Sequence, residues 1–431
     1  MCPHPVVDDL YTRQLERRDV DRCSVDSCEI LHREAAAVVL GTTSKRCRSP
    51  HWYAEGDALR DFLPRVGVTG RLRIDVVADD VFRIRYAEGE AVPENVTPMC
   101  IGAPPPPTRM EIEEGDGRVA LRTPRARLDV ALTPLQLRVH DERAGHCLTE
   151  IGGPEKNHFN IWDSYNTGIC RTRDDRPLAV ECFSLRPGEG VFGFGEKFLT
   201  LDKVGQTVDL NMVEAMGTTT PRSYKNVPFF WTTGGWGAFL HHSARITCWV
   251  GSRAAADLQV AVEDDFLDYY LFVGSPKEIL ARYTDLTGRS AMPPRWSFGF
   301  WQSKISYRSA EEALEVVRKN REHAIPTDVL HLDTHWFRED WRCDLEFDPV
   351  RFPDPSAFTK EMGELGAKVS LWQLPYIPEG STLFDELLAV DGFVETTDGG
   401  LYDVGLCYTP GFAGRVGCID FTNPEAVRVY Q

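Results

Sequence analysis

From Arg71 the chain alternates apolar and polar residues. Leu72, Ile74 and Val76 share one face, a turn follows at Asp79-Asp80, and Phe82, Ile84 and Tyr86 return. Period two predicts a hairpin with one buried face. After the proline run at 104 to 107, read as a loop, the alternation resumes. It continues through Val119 and Leu121, then Leu128, Val130 and Leu132, then Leu135, Leu137 and Val139, with turn residues Asp116-Gly117 and Pro134 between the runs. Strand-like runs follow at 179–194, 228–240, 245–251, 257–263 and 267–273. So many short strands without a long helix predict a large antiparallel sandwich over residues 71–275. Residues 1–70 give weak signals: a faint helical pattern at 29–40 and an aromatic spot at His51 to Tyr53. They are left as an unassigned N-terminal extension.

Beyond Val273 the period changes. Ser275-Pro276 opens a helix through Leu286, with Ile279, Leu280 and Tyr283 on one face and Gly288 as its stop, so 276–295 reads as a connecting helix and linker ending at Pro293-Pro294. Three apolar runs follow, Trp296–Trp301, Val329–Asp333 and Lys368–Trp372. Between them lie a helix with a capping box at Ser309 and Glu312, and a helix from Pro355 to the stop at Gly366. The order β-α-β-α-β predicts a parallel sheet with its chemistry at the carboxyl ends of the strands, as in (β/α)8 barrels. About 135 residues follow Trp296, whereas a closed eight-fold barrel takes about 250. Residues 296–431 are therefore expected to form an incomplete barrel, cut short within a helix that Asn423 caps and Pro424 opens. The expected fold is multidomain: an antiparallel β-sandwich, then part of a (β/α)8 TIM barrel.

A formal net charge of −17 argues against a polyanionic partner such as nucleic acid. The basic cluster Ser44 to Arg48 is short and reads as a solvated loop. The 12 cysteines contain no CxxC pair, and the start lacks a signal-peptide pattern or membrane-length apolar run. A reducing, cytoplasmic setting follows as the expectation, with most cysteines free and buried, no membrane partner, and a homo-oligomer left open.

The candidate chemistry is less uniform. Gly188-Glu-Gly190-Val-Phe-Gly193 matches GxGxxG, but Pro187 precedes it and a strand-like run follows, so a close-packed turn is expected instead of a nucleotide site. His331, Asp333 and His335 would share one side of an extended strand, as metal ligands do in barrel amidohydrolases, yet no histidine follows His335. A polar sugar-contact cluster or plain structural hydrogen bonding are the alternatives, and no metal or other cofactor is assigned. Asp333 and Asp420 could each serve as a carboxylate in glycoside hydrolysis, but Asp420 also reads as a brace for the helix after it. Trp301, Trp336, Trp341 and Trp372 fall at or after strand ends. Tryptophans are more often core than platform, but this clustering favours sugar stacking for Trp301 and Trp372.

At these residues the chain resembles glycoside hydrolase family 31, on its α-xylosidase and α-glucosidase side. The matching segments are VFGFGEKFLTLDKVGQTVDLN at 191–211, SYKNVPFF at 223–230, YTDLTGRSAMPPRWSFGFWQSK at 283–304, LHLDTHWF at 330–337, DLEFDPVRFPDP at 344–355 and IDFTNPEA at 419–426. The resemblance spans roughly 70–431 and rests on the order of the whole set. It implies a galactose-mutarotase-like sandwich, a catalytic barrel, and retaining hydrolysis through a glycosyl-enzyme intermediate without cofactor. The family's aspartate nucleophile, in a KTDFGE-like segment, and its acid/base have no match here, so no catalytic residue is assigned and the stretch alone is expected to be inactive. Asp333 matches an aspartate that hydrogen-bonds sugar hydroxyls, Trp372 a tryptophan walling the same subsite, and Glu214 an acidic loop residue; His335, Trp336 and Trp301 complete the expected substrate-binding set. Gln373-Leu374 and Thr334-His335 depart from the family's common residues at the glycone pocket, which leaves xylose and glucose both open. A non-catalytic carbohydrate-binding protein is the alternative from another class, and a metal-dependent amidohydrolase a third.

Overall fold

The computed structural model describes residues 22–47, 65–95, 97–152, 166–172, 175–213, 220, 222–405 and 411–431. The chain divides into two compact units, Met1–Ser290 and Ala291–Gln431.

In the first unit the alternating segments form two antiparallel sheets. One has eight strands, in the order Arg22–Glu34, Ala37–Cys47, Arg65–Ala78, Val81–Glu88, Phe266–Val273, Trp236–Leu240, Asn226–Thr232 and Val191–Gly195. The other has ten, running from Gln206–Leu210 at one edge to Glu111–Gly115 at the far edge. Leu72, Ile74, Phe82, Ile84 and Tyr86 from the first sheet share a core with Val119, Leu121, Leu128, Val130, Leu137 and Val139 from the second, all essentially excluded from solvent. The expected faces are the observed ones, because a strand with one buried face fixes its register through that face. At Gly193, φ is +124° and an added Cβ would stand 2.5 Å from the Phe229 carbonyl oxygen. Only glycine fits so close a crossing, and a strand follows Gly190, so the GxGxxG match is a turn between strands.

Two expectations for the N-terminal stretch are corrected. Residues 29–40 carry no helix: Arg22–Glu34 and Ala37–Cys47 form a hairpin on the edge of the eight-stranded sheet. The run Ala37 to Leu40 is buried throughout, and a short continuous apolar run does not distinguish helix from strand by period. Ser44 is no solvated loop residue either; it is buried in the second strand, its Oγ 2.9 Å from the Tyr86 hydroxyl. His51 to Tyr53 lie outside the described residues. Pro276–Thr287 is a helix with a complete capping box between Ser275 and Glu278, and it packs Ile279 and Leu286 inward. Leu280, expected on that face, is 51% exposed.

One polar group stands inside the sandwich. The Glu181 carboxylate accepts from Thr167 Oγ1 at 3.0 and 3.1 Å, the Cys182 N–H at 2.9 Å and the Tyr269 hydroxyl at 3.2 Å. Burial outweighs these donors and pushes its pKa up from 4.5 to about 7. The folded state therefore holds this proton more tightly than the unfolded chain. The corresponding stability is fully present below the unfolded value, falls as pH rises from about 4.5 to about 7, and is level above. Across that window the loss is on the order of 3 kcal/mol. Urea midpoints of Glu181→Gln are expected to lack this slope; an unchanged slope in the variant would place its origin elsewhere.

In the second unit Trp301–Lys304, Val329–Leu332 and Lys368–Leu371 form a three-stranded parallel sheet, with helices Ala310–Glu322 and Pro355–Glu364 between them. Both helices turn apolar residues inward: Ala313, Leu314 and Val317 from one, Phe358 and Met362 from the other. Ser309 caps the first as expected, but the Glu312 carboxylate accepts from the Arg308 N–H instead of closing the box. A short antiparallel pair, Tyr376–Pro378 with Val416–Cys418, and the helices Thr382–Leu388 and Pro424–Tyr430 complete what is described of this unit.

Candidate functional site

Parallel register determines which residues meet at each end of the three-stranded sheet. Lys304, Leu332 and Leu371 are aligned at its carboxyl end. Asp333 and Trp372 are the next residues of adjacent strands and so leave the sheet side by side. The Trp372 N–H donates to the Leu332 carbonyl at 2.9 Å, extending the ladder by one bond to the doorstep of Asp333.

Trp301 lies at the other end. The expected strand Trp296–Trp301 is in fact a 3-10 turn, Arg295–Phe298, followed by a strand that begins at Trp301. The Asp328 carboxylate accepts from the Phe300 N–H at 3.1 Å and fixes this later start. Trp301 is aligned with Val329 and Lys368, about 10 Å along the strands from the Asp333 end. There it stacks on Trp296, and the Lys368 ammonium sits 5.0 Å from the Trp296 ring centre. The shared rim expected for Trp301, Asp333 and Trp372 thus holds for the last two only; an apolar run shows that a strand exists and leaves its ends unspecified.

After Leu332 the chain turns at once into the 3-10 segment Thr334–Trp336, capped by Asp333, whose Oδ1 accepts from the Thr334 N–H at 2.8 Å. That bond orients the carboxylate, and Oδ2 has no hydrogen-bond partner among the described residues. Asp333 is half-buried. Because the strand ends at Leu332, His331, Asp333 and His335 do not share one extended face. His331 Nδ1 lies 3.1 Å from the Ser370 hydroxyl on the neighbouring strand, and His335 Nε2 lies 3.4 Å from Asp340 Oδ2. Among the described residues no three His, Cys, Asp or Glu side chains assemble as a metal site.

Trp336 was expected to contact substrate; it is 4% exposed and acts as a tie. Its Nε1 donates to the Trp372 carbonyl at 2.7 Å, joining the two rim segments, while its ring packs on Phe337 and Phe347. Trp336→Phe leaves that carbonyl without its donor and is expected to cost about 2 kcal/mol, read from urea unfolding. A loss near zero would contradict the tie.

Trp372 is partly open, and its indole meets Phe337 and Trp341 edge to face, at 5.9 and 5.3 Å between ring centres. Trp341 takes φ of +63°, and the same loop is held to the third strand's continuation through Cys343: its Sγ donates to the Leu374 carbonyl at 3.4 Å and accepts from the Leu374 N–H at 3.3 Å. Trp341, read from the sequence as falling after a strand end but not assigned to the substrate-binding set, is thus beside Trp372. Asp420 accepts from the Thr422 N–H and hydroxyl, at 2.8 and 2.6 Å, at the turn that leads into helix Pro424–Tyr430. Glu214 lies outside the described residues.

An oriented carboxylate beside a partly open indole, on adjacent strand ends, suits a pyranose: the carboxylate accepts from hydroxyls while the ring covers the sugar's apolar face. Comparison with known proteins is consistent with this chemistry. Residues 71–248 match the glycosyl hydrolase 31 N-terminal galactose mutarotase-like domain, and residues 290–431 match the glycosyl hydrolases family 31 TIM-barrel domain. An α-xylosidase of Lactiplantibacillus pentosus is 38% identical over 279 residues, covering 64% of this chain and 35% of the relative. An α-xylosidase of Emericella nidulans is 34% identical over 266 residues, covering 61% and 33%. The chain therefore spans about a third of the length of these relatives. In fold, it is similar to a Flavobacterium johnsoniae dextranase complexed with glucose, with a TM-score of 0.72 and 22% identity over 94% of this chain and 45% of the other. It is likewise similar to a soil-metagenome α-xylosidase complexed with xylose, at a TM-score of 0.68 and 20% identity over 92% and 54%. No helix among the described residues is long and apolar enough to cross a membrane.

Proposed function

The chain belongs to glycoside hydrolase family 31, and from that premise we propose that it serves a retaining α-glycosidase that removes terminal α-linked xylose or glucose. The observation that carries the reading is the pairing of Asp333 and Trp372 on adjacent, register-matched strand ends. Asp333 accepts hydrogen bonds from glycone hydroxyls, and Trp372 walls the same subsite. The names of the curated relatives favour xylose or glucose as the sugar.

Retention takes two carboxyl groups about 5 Å apart, one as nucleophile and one as acid/base. Neither role is given to a residue of this chain: the Asp333 carboxylate is a binding group, and Asp420 is engaged by Thr422. The stretch thus recognises the glycone without cleaving its bond. Tryptophan fluorescence titrations with methyl α-xyloside and methyl β-xyloside test this, the α-anomer being expected to bind more tightly. Equal response to both anomers, or turnover of p-nitrophenyl α-xyloside that Asp420→Ala abolishes, would overturn the assignment.

A further inference from the structure

In the first unit, Val191–Gly195 and Gln206–Leu210 are edge strands of the two sheets, and Lys197, just past the first of them, reaches across to the second. Its Nζ donates to the Asp209 carbonyl at 2.7 Å and to Asn226 Oδ1. The Asn226 amide is itself fixed, its Nδ2 donating to the Ser223 carbonyl at 3.0 Å and meeting Met212 Sδ at 3.3 Å. Neither acceptor carries a charge. The Asp209 carboxylate is taken by Arg245, whose Nε and Nη2 donate to its two oxygens at 2.9 and 2.8 Å. Among the described residues no carboxylate comes within ion-pair range of Lys197, whereas Lys225 pairs with the adjacent Glu196 at 2.8 Å. A second amine, Lys203, is 4% exposed and donates to the Thr200 carbonyl. Its N–H donates to the Val191 carbonyl at 2.8 Å, on the same edge strand, and its charge reaches Lys197.

Two neutral acceptors suit a neutral amine. An NH2 group has two protons to donate and one lone pair, whereas an ammonium brings a third proton and a full charge out of water. Here the two acceptors take two protons, and the lone pair is left for chemistry. Burial pulls Lys197 down from 10.5 to about 8; the Asp209 charge opposes the shift and Lys203 adds to it. The Cys248 thiol, also facing this amine, is kept protonated by burial. At pH 7 about a tenth of Lys197 is therefore neutral, against roughly one in 2,500 for an ordinary lysine. Desolvation and a neighbouring cation are what turn a lysine into a nucleophile. Lys197 is half-buried between the exposed residues Glu196 and Phe198, so solutes reach this segment.

We propose that Lys197 is a modification site for small aldehydes, open-chain aldoses included, through the neutral amine that the Asp209 carbonyl and Asn226 hold. The nitrogen lone pair bonds to the carbonyl carbon, the carbonyl pair moves to oxygen, and one amine proton passes to that oxygen. Water then leaves with the second amine proton, and an imine remains. The site is independent of the Asp333 reading.

Glycolaldehyde with sodium cyanoborohydride tests this on the 431-residue chain, because hydride from the reductant converts the imine to a stable secondary amine. Lys225 and Lys319 are the references, since pairing with Glu196 and Glu315 raises the pKa of each. In brief labelling at pH 7, resolved by peptide mass spectrometry, Lys197 is expected to react about tenfold faster than either. Lys203→Met, which removes the neighbouring charge, is expected to slow Lys197 about threefold and leave the references unchanged. Wild-type Lys197 reacting no faster than Lys225 and Lys319 would overturn the proposal whether or not the Lys203 variant folds. So would an unchanged Lys197 rate in a folded Lys203→Met.

Discussion

Asp333→Ala is expected to weaken binding of methyl α-xyloside or methyl α-glucoside by roughly 10- to 100-fold, the worth of about 1.5 to 3 kcal/mol for hydrogen bonds to a charged group. The effect should be large because the carboxylate is already oriented: Thr334 N–H holds Oδ1 at 2.8 Å, so little freedom is lost on binding. The same truncation at Asp420 serves as the contrast. Its Oδ1 takes both Thr422 bonds and braces the turn before the next helix, so Asp420→Ala should loosen that helix and leave sugar affinity within about twofold. Calorimetric or fluorescence titration of both variants separates the roles, and equal losses in the two would remove Asp333 from the binding site.

Trp236→Ala is expected to destabilise the sandwich by about 4 kcal/mol, the range for deleting a large aromatic from a packed core. Trp236 is wholly buried, stacks on Phe183 at 5.4 Å between ring centres and meets Phe230 edge to face at 5.6 Å. Its Nε1 also donates to Glu189 Oε1 at 2.7 Å, so truncation leaves that buried oxygen without its donor while Oε2 keeps the Arg186 N–H at 2.9 Å. A urea midpoint lowered by that amount, with the second unit's tryptophan signal unchanged, is the expected result. A loss under about 1 kcal/mol would mean that the core closes over the gap.

Where one face of a segment is buried, as in the hairpin of Leu72 and Tyr86, the alternation itself set the register, and the sandwich was legible strand by strand. The hairpin of residues 22–47 was not: Ala37 to Leu40 are buried on both faces, and an uninterrupted apolar run carries no period. The parallel sheet was legible as an order of elements, but its strand ends were not. Trp301 shows the consequence, since a shift in where a strand begins moves a residue from one end of the sheet to the other.

The same distinction runs through the candidate site. Asp333 and Trp372 follow strands whose carboxyl limits were read to within one residue, so their places at the strand ends were legible. Trp336 was misread because burial in a 3-10 turn leaves no periodic mark, and Trp341 reaches Trp372 through a loop whose path tertiary contacts decide.

Glycone recognition by this chain requires a sugar lying between Asp333 and Trp372. Diffraction from crystals of the chain soaked in methyl α-xyloside addresses this directly. The expected result is a pyranose with a hydroxyl within hydrogen-bonding distance of the Asp333 carboxylate and its apolar face against the Trp372 indole. A sugar found instead on Trp296 and Trp301 at the far end of the sheet, with the Asp333 end empty, would contradict it.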